Sequence, residues 1–253
     1  MNQTTNRIVI IGATSCIAEH CARLWLSEAP ADLILVGRDS KKTERIANDL
    51  KVRSPQSSIT THEVNFVDPE KISEFIDRIA KERPIHIALI AHGLLSDQKD
   101  CQTDLKKTQE SLTVNAISPV LFAECIAGHM EKQNFGNLGI IGSVAGDRGR
   151  KSNYVYGAAK GLVARYAQGL QHRLASTGVK ISLIKPGPTD TPMTAELKEQ
   201  GKAKGLAKPD DVARTIVNGM KKGQPTIYAP VKWALIMLII RLLPRFIFNK
   251  MDI

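Results

Sequence analysis

The stretch Ile8-Val9-Ile10-Ile11-Gly12-Ala13-Thr14-Ser15-Cys16-Ile17-Ala18 joins a short apolar run to a turn of small residues, and an amphipathic segment follows. Consecutive β-branched residues bounded by glycine read as a strand buried on both faces. A small-residue turn from strand to helix gathers backbone N–H groups at a helix N-terminus. The partial positive charge there suits an anion such as a pyrophosphate. One glycine at such a turn is common, so its meaning depends on what the rest of the chain repeats.

Six further runs share the character of the first: Leu33–Val36, Ile59–Val64, Ile87–Ala91, Leu138–Ile141, Ile181–Ile184 and Thr226–Tyr228. Each is short, mostly β-branched, and bounded by Gly, Pro or polar residues. The segments between them are long enough for helices. Asp39-Ser40 reads as an N-cap before Lys41–Leu50, and Asp68-Pro69 as a cap followed by proline in the first turn. Strand–helix–strand alternation implies parallel pairing through right-handed crossovers. The expectation is a single-domain α/β fold: a doubly wound, seven-stranded parallel sheet of Rossmann-like type. Residues 1–230 would form this domain. Residues 231–253 would form an apolar, basic tail for a membrane surface or a second subunit.

The chain has 253 residues, enough for one large α/β domain and little more. Hydrophobic residues make up 43% and charged residues 24%, which excludes a disordered chain. Cys16, Cys21, Cys101 and Cys125 form no CxxC pair and no cluster with histidine, so they read as free thiols with no metal site. The first residues lack the charged head and long apolar core of a signal peptide, so a cytoplasmic protein is expected. The net charge is +10. Its basic residues are spread along the chain without interleaved aromatics, which argues against nucleic acid and favours an anionic small molecule or membrane surface.

Two strand ends carry chemistry. Leu35-Val36-Gly37-Arg38-Asp39 ends the second strand, where a dinucleotide's adenosine ribose would sit. Arg38 could accept a 2′-phosphate, and Asp39 could instead bind a ribose hydroxyl. The reading favours NADP(H) and leaves NAD(H) open. Ser143 follows the fifth strand, and Tyr156-Gly157-Ala158-Ala159-Lys160 follows Ser143. Residues i and i+4 share a helix face, so Tyr156 and Lys160 would point the same way. An ammonium beside a phenol favours the phenolate and lowers its pKa toward neutrality, making a usable acid and base. The same spacing recurs at Tyr228 and Lys232, but Pro230 lies inside that copy and opposes a continuous helix. Asn115 lies in Glu110–Met130, which reads as one helix. His92, in Ala91-His92-Gly93, reads as a structural or cofactor-wall residue.

Taken together, these residues resemble the short-chain dehydrogenase/reductase family over almost the whole chain. The resemblance implies an enzyme that moves a hydride between a nicotinamide cofactor and a carbonyl or alcohol, and a homodimer or homotetramer. Asn115, Ser143, Tyr156 and Lys160 match the family's catalytic tetrad. By resemblance, Ser143 bonds the substrate oxygen and Tyr156 transfers the proton. Lys160 holds the ribose hydroxyls and tunes Tyr156, and Asn115 anchors a relay water. The cofactor side would be held by Gly12, Thr14, Ser15, Cys16 and Ile17, then by Arg38, Asn65, Phe66, Ala91 and Gly93. Tyr156, Lys160, Pro186, Gly187, Thr189 and Thr191 would complete it. Cys16 and Ala18 stand where the family usually has glycine. Cys16 at a helix start would have its thiolate favoured by the helix dipole. Met193–Gly205 would be a mobile substrate lid.

Within the family, the tail and Ser152-Asn153-Tyr154-Val155-Tyr156-Gly157 resemble the decaprenylphosphoryl-2-keto-erythro-pentose reductases. That narrower resemblance implies a ketone on a lipid-phosphate-linked sugar; a soluble small-molecule ketone or alcohol is the other reading. The tail's apolar run, Trp233–Ile240, is far shorter than the roughly 20 residues that span a bilayer, and Arg241 interrupts it. It would either pack against protein or lie peripherally at the cytoplasmic face of a membrane, with Lys232, Arg241, Arg245 and Lys250 meeting lipid phosphates.

Overall fold

The structure is a computed structural model and describes residues 5–199, 201 and 205–251. Strands β1 (Arg7–Ile11), β2 (Asp32–Gly37), β3 (Ser58–Glu63), β4 (Ile87–Ile90), β5 (Gly136–Ile141), β6 (Val179–Pro186) and β7 (Thr226–Ala229) form one sheet. Every pairing is parallel, and the order is β3-β2-β1-β4-β5-β6-β7. All seven strands expected from the apolar runs are present.

Side chains alternate across β1. Val9 and Ile11 enter one core with α3 (Pro69–Glu82), α6 (Ser118–Gln133) and α7 (Tyr154–Arg173). Ile8 and Ile10 enter the other with α1 (Cys16–Glu28), α2 (Ser40–Arg53) and α9 (Pro209–Lys221). Phe122 is fully buried in the first core; truncating such a side chain to alanine typically costs about 3–5 kcal/mol. The expected caps are in place. Asp39 accepts from Lys42 N at 3.0 Å, and Asp68 accepts from Glu70 N at 3.0 Å, with Pro69 opening α3.

The winding runs outward from β1 to β3 and then returns to β4 on the other side of β1. The two directions part between β1 and β4, and a crevice opens there at the carboxyl ends of the strands. Gly12 sits at its floor with φ +84°, and a Cβ there would lie 2.5 Å from His92 N. Both the backbone conformation and the close approach of the β4 end demand glycine.

The stretch read as one helix over Glu110–Met130 is three pieces: the end of α5 (Leu105–Leu112), a π turn over Thr113–Ile117, and α6; the short α4 (Gln98–Thr103) precedes them. Pro119 is the cause visible in the sequence, because it has no N–H to offer the Asn115 carbonyl four residues back. By length and composition Leu105–Gln133 is apolar enough to cross a membrane, but 56% of its apolar window is buried inside the domain. It packs as a core helix. The expected lid is ordered at its start as a 3-10 turn, Pro192–Thr194, and α8 (Ala195–Glu199). Residues 200 and 202–204 of that segment lie outside the described residues. The tail forms α10 (Lys232–Leu242) and α11 (Arg245–Phe248).

Candidate active site

Ser143 follows β5 and caps a 3-10 turn, Val144–Gly146, by accepting from Ala145 N at 3.1 Å. The turn lies directly on α7: a Cβ on Gly146 would stand 2.7 Å from the Lys160 carbonyl carbon. Tyr156 and Lys160 share a face of α7, with Lys160 Nζ 5.8 Å from the phenol ring centre. The Ser143 hydroxyl lies against the phenol and favours its ionised form. Burial outweighs that effect and pushes the Tyr156 phenol above its ordinary value. This corrects the expectation that Lys160 lowers it. The ammonium is itself buried, at 2% exposure, and is held by the Ile141 carbonyl at 3.1 Å. Desolvation brings the Lys160 pKa down to about 8.

Asn115 sits in the π turn, fully buried. Its Oδ1 accepts from Leu94 N at 3.0 Å and its Nδ2 donates to the Ser111 carbonyl at 2.9 Å. A Cβ on Gly93 would lie 2.8 Å from Asn115 Oδ1 and 3.6 Å from Lys160 Nζ. The fold therefore brings Asn115, Ser143, Tyr156 and Lys160 to one wall of the crevice. Such a set can hold a carbonyl oxygen and deliver a proton to it.

The opposite wall collects the residues expected to hold a dinucleotide. Gly12 and Ala13 both donate to the Val36 carbonyl, at 2.9 and 3.0 Å, which draws the turn against the end of β2. Thr14 is exposed on this turn, and Ser15, Cys16 and Ile17 are partly buried as α1 begins. Burial raises the Cys16 thiol pKa, and the Glu19 carboxylate adds to the rise. The expected thiolate is therefore disfavoured: one helix turn of dipole does not offset desolvation and a nearby carboxylate. Arg38 is exposed at the end of β2, while Asp39 spends its carboxylate on capping α2. Asn65 is exposed and turns its Oδ1 to Val67 N. Phe66, expected to face a cofactor, is buried edge-on between His92 and Phe122 and serves as core. Ala91 is buried at the strand end. His92 Nε2 meets Ser118 Oγ at 2.8 Å, and its Nδ1 has no partner among the described residues. Burial, with Lys160 and Arg38 adding, drops its pKa to about 3 and keeps the ring neutral.

On the nicotinamide side, Pro186 ends β6, and Thr189 Oγ1 donates to the Gly187 carbonyl at 2.9 Å. Thr191 caps the 3-10 turn that follows. Contacts that sequence patterns did not announce complete this side. The Trp233 indole covers Gly187, where a Cβ would stand 1.9 Å from its Nε1. Tyr228 pairs with neither Lys232 nor any i+4 partner. Its hydroxyl donates to Asp147 Oδ2 at 2.8 Å, and Lys185 binds the other oxygen of the same carboxylate. Arg148 donates to the Ile240 carbonyl and, at 2.7 Å, to the Leu243 carbonyl, and so caps the C-terminal end of α10. No short-range pattern announces these contacts, because their partners lie far away in the chain.

Comparison with known proteins agrees with the geometry. Residues 6–202 match the short chain dehydrogenase family. An uncharacterized oxidoreductase of Mycobacterium tuberculosis is 29% identical over 250 residues, covering 96% of each chain. One from Staphylococcus aureus is 30% identical over 220 residues, covering 86% of this chain and 92% of its own. The solved structure of a short-chain dehydrogenase from Sphingobium yanoikuyae in complex with NADPH superposes with a TM-score of 0.82. It is 19% identical and covers 98% of this chain and 96% of that one. The chain belongs to the short chain dehydrogenase family and is an NAD(P)-dependent oxidoreductase acting between CH–OH and C=O groups.

Proposed function

We propose that the chain is an NADPH-dependent ketone reductase with Tyr156 as proton donor, working at the cytoplasmic face of a membrane on a lipid-linked sugar ketone. The observation that carries the reductase reading is the placement of Ser143 against the Tyr156 phenol, with Lys160 buried behind it. Bound NADPH would supply the reducing equivalent to the carbonyl carbon. Ser143 holds the carbonyl oxygen by hydrogen bonding, and Tyr156 gives that oxygen its proton. A phenol with a raised pKa is fully protonated at neutral pH, as a donor must be. Lys160 favours the phenolate as it forms, and Asn115 orders the path by which the proton is restored. The test is NADPH oxidation against a panel of lipid-linked and soluble ketones; no oxidation with any of them would overturn this reading.

NADPH is preferred over NADH for three reasons. Asp39 is committed to Lys42 N, which holds its carboxyl below the ordinary range. Arg38 stands exposed at the end of β2, and the solved short-chain dehydrogenase from Sphingobium yanoikuyae is in complex with NADPH. Charge-assisted hydrogen bonds contribute about 1.5–3 kcal/mol. Arg38→Ala is therefore expected to raise the NADPH dissociation constant at least roughly ten-fold and leave that of NADH nearly unchanged. Equal losses for both, in a fluorescence titration, would mean that Arg38 does not read the 2′-phosphate.

The membrane reading rests on the tail. Val231, Leu235, Leu238, Ile239, Leu242 and Phe246 are all more than half exposed. Lys232, Arg241, Arg245 and Lys250 are exposed around them, and Pro230–Met251 contains no Asp or Glu. An apolar face ringed by cations fits an anionic bilayer surface. Only Met237 is fully buried in α10, and with Trp233 it anchors the helix to the domain. The full-length chain is expected to sediment with phosphatidylglycerol vesicles at low salt, and Leu238→Glu with Phe246→Glu to remain in the supernatant. If the parent also stays in the supernatant and gel filtration shows a dimer that the double variant loses, the face belongs to a second copy instead.

A further inference from the structure

Around the start of α7, one turn before Tyr156, three polar groups have hydrogen-bonding capacity that no described residue uses. Asn153 occupies the N-cap, yet its side chain makes no capping bond, and its Oδ1 is buried without a partner. An N-cap asparagine ordinarily spends that oxygen on the first turn. Here the task is taken over from outside the helix: Gln98 Oε1 accepts from Val155 N at 3.0 Å. That bond fixes the Gln98 amide, because only its oxygen can face an N–H. Its Nε2 is thereby turned away and left buried without an acceptor, on a residue only 7% exposed. Arg150 adds the third group. It is half-buried, its Nε has no partner among the described residues, and burial lowers its pKa. Asn153 N donates to the Arg150 carbonyl at 3.2 Å, so the two residues share one turn.

Buried donors and acceptors without partners cost about 1–3 kcal/mol each. A ligand that satisfied them would recover that cost. Gln98 Nε2 and Arg150 can only donate, and Asn153 Oδ1 can only accept. A hydroxyl both accepts and donates, and a guanidinium matches an anion's paired oxygens. We propose that Gln98, Arg150 and Asn153 form a recognition subsite for a hydroxylated ketone bearing an anionic group. Hydroxyls next to the reacting carbonyl lie on the two carboxamides, and the anion lies on Arg150. The subsite rests on the ketone-reductase reading for its purpose, but its occupancy can be measured without turnover.

The test is calorimetric binding of dihydroxyacetone phosphate and dihydroxyacetone to the Tyr156→Phe enzyme with NADPH present. The phosphate-bearing probe is expected to bind at least roughly ten-fold more tightly. Arg150→Gln should bring it to the level of dihydroxyacetone with NADPH affinity unchanged. Asn153→Ala, which removes no capping bond, should weaken both probes several-fold. Equal affinity for the two probes in the parent, or Arg150→Gln weakening both alike, would overturn the subsite. Failure of every ketone to be reduced by the wild-type chain would overturn the reductase reading instead, and the binding result would stand by itself.

Discussion

Replacing Tyr156 with phenylalanine should leave a folded chain that binds NADPH as before and reduces ketone at least about 10²-fold more slowly. General acid catalysis contributes about 10²–10⁴ to a rate, and the substitution removes the hydroxyl proposed as the proton donor. The ring remains to fill its place beside Lys160 and Ser143. The matched control is Tyr228→Phe. Tyr228 has a lysine four residues on in sequence, but its hydroxyl serves Asp147, whose carboxylate also holds Lys185. Losing that charge-assisted hydrogen bond should cost about 1.5–3 kcal/mol of stability and leave turnover on the same order. Single-turnover rates and urea unfolding separate the two effects. If both variants lost turnover alike, the assignment of the proton donor to Tyr156 would fail.

What could be read in the sequence is what repeats at short range. β-branched runs bounded by turn residues located all seven strands, and Asp39 and Asp68 announced their caps. The spacing of Tyr156 and Lys160 placed both on one face of α7. What stayed hidden depends on burial or on distant partners. The sequence shows that Lys160 neighbours Tyr156, but desolvation reverses the expected direction of the phenol's shift. Cys16 fails as a thiolate for the same reason: its thiol is shielded, and Glu19 stands one turn on. Asn115 was visible as a polar residue on an apolar helix. The π turn that seats it had a signal in Pro119, which a helical-period reading passes over.

The links between the tail and the crevice left no local trace. Arg148 reaches α10 from the loop that follows Ser143, and Trp233 reaches back over Gly187. Both sides of the crevice, the Ser143 loop and the Pro186-Gly187 stretch, are thus braced by the helix that exposes the apolar face. In the proposed reading, an apolar ligand lying along α10 would pass beside the loops that hold the substrate. The subsite at Gln98, Arg150 and Asn153 would then take the polar end of the same molecule.

Lys160→Met is expected to have opposite effects on stability and activity. Among the described residues the buried ammonium has one hydrogen bond, to the Ile141 carbonyl, and desolvation lowers its pKa to about 8 from the ordinary 10.5. Below pH 8 the folded chain carries a buried charge that the unfolded chain leaves in water. Between pH 8 and 10.5 the unfolded state holds the proton and the folded state does not, so stability rises with pH across that window. The gain from this group is at most about 3 kcal/mol. Methionine fills the same volume without the charge. Set against the lost hydrogen bond, about 1 kcal/mol, the variant should be more stable than the parent by about 1–2 kcal/mol at pH 7. That advantage should shrink as pH rises from 8 to 10, which urea unfolding over this range would show. Turnover should fall by at least about 10², and NADPH affinity should weaken with it, because the group that favours the phenolate is gone. A gain in stability coupled to a loss of activity is the pattern of a charge kept in the core for function. A variant less stable than the parent at pH 7 would show instead that Lys160 is retained for its bond to Ile141.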